Sequence, residues 1–140
     1  YRMSEFQAAV LVVKMKYIKK WTEMRCNNAQ KYNERLKDLG NVVIPFESLD
    51  CRHVYHLYVI RVENRDKLQR YLAEKGISTG IHYPFPLHLN GAYKYLGYKK
   101  SDFPVAEKVA DEILSLPIYP ELNEDQIDYV CEHIKKFFND

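Results

Sequence analysis

The sequence predicts an α+β fold in which a long N-terminal helix is followed by a small sheet of about three strands flanked by helices. Three observations carry this. Apolar residues recur at helical spacing from Phe6 to Leu39, a β-branched and aromatic run occupies Val54 to Val62, and shorter amphipathic helical stretches fill the rest. At 140 residues the chain has the length of one domain, enough to bury roughly two-thirds of its unfolded surface around one core.

The first helix opens on Ser4-Glu5-Phe6-Gln7, a capping box in which Ser and Gln side chains satisfy free backbone N–H groups reciprocally. Its apolar positions are Phe6, Val10, Val13, Tyr17, Trp21, Met24, Tyr32, Leu36 and Leu39, with Gly40 as the expected C-cap. Some 35 residues of unbroken helix span roughly 50 Å, against a radius of gyration of about 14 Å for a compact chain of this length. The helix is therefore expected to overhang its domain. Ala8 to Val13 is apolar on every side, so another domain or subunit is expected to cover it. The alternatives are two helices in series, or a break near Asn27-Asn28 and a helical hairpin. On this reading residues 1–40 form an interdomain or interface helix and residues 41–140 a small α+β domain. The chain opens at Tyr1 without an initiator Met, so it is expected to begin inside a longer protein.

Beyond Pro45, Val54 to Val62 reads as a central strand, with Val54, Tyr58 and Ile60 on one face and Tyr55, Leu57 and Val59 on the other. Asn64 is placed to cap a helix through Lys75 with Leu68 and Leu72 inward, Gly76 ends it, and Ile77 to His82 reads as a second strand. Phe103-Pro104 starts another helix with Val105, Val109 and Ile113 as its buried stripe. Leu116 to Ile118 is the third strand. Asn123 with Gln126 repeats the capping box, and Ile127, Val130, Ile134 and Phe137 line the last helix.

The formal charge of +2, from 21 basic and 19 acidic residues, gives no strong field toward nucleic acid or an anionic membrane. Tyr93, Tyr95 and Tyr98 interleave with Lys94, Lys99 and Lys100, but no ribonucleoprotein signature accompanies them, and a solvated loop is expected. Neither nucleic acid nor membrane is an expected partner. Three widely separated cysteines, Cys26, Cys51 and Cys131, form no disulfide framework or metal clip and fit a reducing, cytoplasmic setting. His53 and His56, three apart on a strand, point to opposite faces and are not expected to share a metal. No Walker loop, dinucleotide fingerprint, Gly-x-Ser-x-Gly or His-Glu-x-x-His occurs, and no self-sufficient catalytic centre is visible.

The segment with binding chemistry is Gly80-Ile81-His82-Tyr83-Pro84-Phe85-Pro86-Leu87-His88. It sets two imidazoles and a phenol on a backbone stiffened by prolines, so they need little further ordering to meet a ligand. An ordinary proline-punctuated connector is the alternative. Arg2, just before the first helix, is placed to pair with phosphate or carboxylate, although a terminal surface arginine is an equally simple account.

Taken together, Arg2-Met3-Ser4-Glu5 with Gln7-Ala8-Ala9, His56-Leu57-Tyr58-Val59, the loop from Gly80 to His88, Phe103-Pro104 with Ala106-Glu107, and Leu114 through Pro120 resemble the DegT/DnrJ/EryC1/StrS sugar aminotransferases. The resemblance runs in order across the chain. It implies the C-terminal small domain of a fold-type I pyridoxal-phosphate enzyme, usually a homodimer, that moves an amino group from glutamate or glutamine to a keto-sugar nucleotide. In that family the Schiff-base lysine, the acidic partner of the pyridinium and the phosphate cup belong to a large N-terminal domain. This chain is thus expected to bind no cofactor and to hold no catalytic residue alone. By the same resemblance Arg2, His82 and Tyr83 match substrate-facing positions, with His88 beside them. Two departures stand out: Leu11 where the family often has Gly, and Asn90-Gly91 in place of the common Gln-Pro. The second exchanges a proline constraint for flexible turn residues. A rival expectation is a stand-alone interaction module that binds a partner through its apolar first helix.

Overall fold

The computed structural model describes residues 2–139. Tyr1, on which the expectation of a longer protein rests, lies outside them. Helices α1 (Glu5–Met15) and α2 (Ile18–Leu36) run in series. The capping box forms: Ser4 Oγ accepts the Gln7 N–H and Gln7 Oε1 accepts the Ser4 N–H, both at 3.3 Å. The junction falls at Lys16-Tyr17, where two N–H groups bond three residues back, to Val13 O and Lys14 O, before the Trp21 N–H resumes regular helix on Tyr17 O. Both junction residues keep right-handed backbone angles. Asn27-Asn28, the expected site of a hairpin, lies inside α2. Asn28 is buried, and its Nδ2 donates to Tyr119 O at 3.0 Å and Pro120 O at 3.4 Å, so this side chain tethers the helix.

Gly40 is not the cap. The helix closes at Lys37, whose N–H bonds Asn33 O, and the chain turns through Leu39 and Val42. Strand β1 (Tyr58–Arg61) is shorter than the run from Val54 implied, because Tyr55 adopts φ 48° and Arg25 Nη1 takes the carbonyls of Tyr55 (3.4 Å), His56 (3.3 Å) and Ile118 (2.9 Å) off the ladder. Val54 is accordingly 50 % exposed.

β1 pairs antiparallel with β2 (Ile113–Leu116), with Tyr58 opposite Leu116 and Ile60 opposite Leu114. Single bridges extend the sheet on either side, Val43 to Arg61 and Gly80 to Ser115. β1 is central, as its composition implied. The sheet has two strands where about three were expected, since Ile77 to His82 contributes one bridge and Leu116 to Ile118 is displaced toward Ile113. Pro117, without an N–H, ends β2 there.

Helix α3 (Arg65–Glu74) buries Leu68 and Leu72 and ends at Gly76. With φ 73° at Gly76, the Gly76 N–H reaches Ala73 O and the Ile77 N–H reaches Leu72 O, a Schellman closure. Helix α4 (Pro104–Glu112) passes directly into β2. Its expected stripe is corrected at Val105, which is 76 % exposed, while Ala110 is buried in its place. Helix α5 (Glu124–Asn139) carries the predicted box at Asn123 and Gln126 and buries Ile127, Val130 and Ile134 against α2 and α3.

The core lies between α2, the sheet, α3 and α5. Tyr32 and Tyr58 stack at 4.8 Å and direct their hydroxyls to Pro117 O (2.9 Å) and Asn33 Oδ1 (2.6 Å), so neither buried phenol lacks a partner. Burial pushes both hydroxyls far above the usual tyrosine range. No residue of α1 is buried.

Candidate functional site

The sheet's edge at Ser115 is where the loop begins. Gly80 N–H donates to Ser115 O at 3.0 Å and the Ser115 N–H donates to Gly80 O at 2.7 Å, fixing the loop's first residue on β2. Two residues later the His82 imidazole folds back over Gly80. A β-carbon at position 80 sits 2.7 Å from His82 Cε1, so only glycine accommodates the ring there without displacement. His82 Nδ1 lies 2.9 Å from Ser115 Oγ. Ser115 is 4 % exposed, so the pair orients the ring and does not arm the hydroxyl as a nucleophile. The Tyr83 ring meets His82 edge-on at 5.7 Å and is 75 % exposed, and the His82–Tyr83 peptide is cis.

Pro84 and Pro86 carry the chain into two 3-10 turns, Leu87–Leu89 and Gly91–Leu96. Asn90 Oδ1 accepts the Ala92 N–H at 3.0 Å and caps the second turn, which ends at Gly97 with φ 76°. Asn90-Gly91 thus supplies a helix start where the sequence suggested looseness. His88 points inward: Nε2 is 2.9 Å from Glu107 Oε1 on α4, and its ring packs on Phe103 at 4.8 Å. Glu107 Oε1 also accepts the Ser101 N–H at 2.7 Å. Desolvation raises the Glu107 carboxyl, but hydrogen bonds from His88, Ser101 and Phe103 outweigh it and hold the group below the usual carboxylate range.

Between this loop and α4 lies a cleft of about 670 Å³ lined by residues 82–88 with Asn90, Phe103, Ala106, Val109, Ala110 and Ile113. The lining is mostly apolar, with His82, His88 and Asn90 as its polar groups besides the Tyr83 hydroxyl. No lysine, arginine or carboxylate lines it. Such a surface can stack a flat or carbohydrate ring against exposed aromatics and fix it with a few hydrogen bonds.

Of the residues singled out from sequence, His82, Tyr83 and His88 come together at this cleft. Arg2 does not line it and stands exposed before α1. Ser115 and Glu107 had no assigned role, although both fall within the motifs already noted; their partners are distant in sequence and visible only in the fold. Among the described residues no cluster of three metal-ligating side chains occurs.

The profile of the DegT/DnrJ/EryC1/StrS aminotransferase family matches residues 1–135. A "Pleiotropic regulatory protein" of Geobacillus stearothermophilus is 46 % identical over 98 % of this chain and 37 % of its own length. A dTDP-3-amino-3,6-dideoxy-alpha-D-galactopyranose transaminase of Aneurinibacillus thermoaerophilus is 36 % identical over 97 % of this chain and 37 % of its own. In structure, S. venezuelae DesV in complex with a ketimine intermediate superposes with a TM-score of 0.94 at 35 % identity, over 97 % of this chain and 37 % of DesV. The chain therefore spans little more than a third of these relatives.

Proposed function

Because this chain belongs to the DegT/DnrJ/EryC1/StrS aminotransferase family, we propose that it is the C-terminal part of a pyridoxal-phosphate-dependent nucleotide-sugar aminotransferase. Residues 1–40 serve as an interface helix region and residues 41–140 as the small domain. The whole enzyme transfers an amino group from glutamate or glutamine to a keto-sugar nucleotide in the cytoplasm, works as a homodimer, and carries its cofactor on a large domain outside this chain. The relatives that transaminate nucleotide-linked sugars support the substrate class.

The observation that carries the reading is the cleft beside α4, where an oriented imidazole and an exposed tyrosine stand at the lip of an apolar hollow. In this role His82 and Tyr83 contact the sugar nucleotide, His88 holds the loop through Glu107, and Arg2 reaches substrate from the other side of the dimer. No lysine or arginine lines the cleft, which suits a substrate-side wall, and in this reading the cofactor sits on the large domain. When bound elsewhere in the enzyme, that cofactor supplies the electron sink for amino transfer. This chain's own residues bind and orient.

The test is steady-state kinetics of the full-length protein with nucleotide-linked keto-sugars and glutamate or glutamine. His82→Ala and Tyr83→Ala are expected to raise KM for the sugar about tenfold, and residues 1–140 alone are expected to form no aldimine absorbance with pyridoxal phosphate. Amino transfer by residues 1–140 alone defeats the reading. A second reading, a non-enzymatic module that binds a partner through α1, is favoured by the helix's lack of any buried residue. Full-length protein that takes up no pyridoxal phosphate decides for it.

A further inference from the structure

We infer that Ser115 and Gly80 are positioning residues that make His82 a fixed hydrogen-bond donor, with Nε2–H directed to an oxygen acceptor of the bound sugar nucleotide; this deepens the proposed function and rests on it. The Ser115 hydroxyl is buried, and His82 Nδ1, 2.9 Å away, is its protein partner. A hydroxyl has one proton to place. If Nδ1 carried hydrogen in the neutral ring, it would donate to Oγ and leave the serine proton without an acceptor in a dry position, which is costly. If Oγ–H donates to Nδ1, both groups are satisfied and the ring's hydrogen is on Nε2. The protonated ring carries hydrogen on Nε2 as well. In either charge state the nitrogen not engaged by Ser115 is therefore a donor.

Gly80 sets the ring's place as Ser115 sets its tautomer. The backbone bridge between Gly80 and Ser115 puts both on one rung of the sheet edge, and the imidazole lies across the space a side chain would fill. The clash at 2.7 Å involves the far end of a rotatable side chain and not backbone, so an alanine at position 80 displaces the ring while sparing the fold. The ligand atom that such a donor recognises is an acceptor oxygen, a sugar hydroxyl or carbonyl or a phosphate oxygen. An ammonium or amide N–H is rejected at this position.

The test uses the full-length protein labelled with 15N-histidine at about pH 8.5, above the ordinary histidine range. Imidazole 15N–1H correlations are expected to show His82 in the Nε2–H tautomer in the absence of any ligand. Ser115→Ala and Gly80→Ala are each expected to mix the tautomers and to raise KM for the sugar nucleotide about tenfold, with the amino-donor half-reaction unchanged, while Ser115→Thr keeps the hydroxyl and restores the tautomer. Thermal melting verifies that the variants fold. An Nδ1–H tautomer in the unmodified protein, a tautomer unaffected by Ser115→Ala, or a KM unaffected in variants with mixed tautomers overturns the inference. Absence of amino transfer by the unmodified protein defeats the proposed function instead, and is seen before any variant is made.

Discussion

Nε2 of His88 and Oε1 of Glu107 lie 2.9 Å apart, and this contact fastens the far end of the loop to α4 as the Gly80 bridge fastens its near end to β2. With both ends held, the intervening residues hang as a short span over the cleft. Glu107→Gln keeps the shape but removes the charge that the His88 N–H, the Ser101 N–H and the Phe103 N–H stabilise. Hydrogen exchange at residues 87–96 is expected to rise in this variant while exchange in β1 and β2 stays unchanged.

Stability is expected to fall in acid, and the sign follows from three carboxylates. Glu107, Glu124 and Asp128 are all held below their ordinary values in the folded chain, the last two chiefly by hydrogen bonds from Arg35. Groups depressed on folding contribute stability above their unfolded values, about pH 4, and lose it as pH drops through the depressed ones. Urea midpoints measured between about pH 7 and pH 2.5 are expected to be flat to near pH 5 and then to decline. Arg35→Met is expected to shrink that decline.

The three thiols are expected to separate by reactivity. Cys131 is buried, and desolvation pushes its thiol up to about 12, so little thiolate exists at neutral pH. Cys51 is exposed and Cys26 half-buried, its Sγ 3.4 Å from His53 O. A disulfide-exchange reagent is expected to titrate Cys51 first and to reach Cys131 only after denaturation.

Two packing substitutions test the core. Ile134→Ala, at a fully buried position facing α2 and α3, is expected to cost about 2–5 kcal/mol. Tyr32→Phe leaves the Pro117 carbonyl without its donor and is expected to cost about 1 kcal/mol. Both are read from urea denaturation.

Gly76→Ala is expected to destabilise by about 1–2 kcal/mol although nothing lies within 4 Å of the added carbon. The strain is in the backbone at φ 73°, and Gly91→Ala, at a glycine equally open and without positive φ, is the matched control.

Much of this architecture was legible in the sequence because it depends on local periodicity. The capping boxes at Ser4 and Asn123, the stripe of α5, the Leu68 and Leu72 pair and the Gly76 stop all form as read. The misreadings have a common cause in long-range polar contacts. Arg25 draws three carbonyls from two distant segments and shortens β1, and Asn28 satisfies carbonyls some ninety residues away, so the second residue of a dipeptide that resembles a break is a buried tether. At the cleft, the loop announced itself through its prolines and aromatics. Ser115 and Glu107 stayed silent because what gives each a role is a histidine brought to it by the fold.

The bare surface of α1 has a thermodynamic consequence. Phe6, Val12, Val13 and Met15 are each more than half exposed, and eleven residues are too few for a helix to persist on propensity alone in water. Order in this segment is thus coupled to whatever surface covers it, as in a chain that folds on binding. The far-UV circular dichroism of residues 5–15 is then an internal gauge of assembly, rising with protein concentration if a second copy is the cover and appearing only on addition of the proposed large domain if that is the cover.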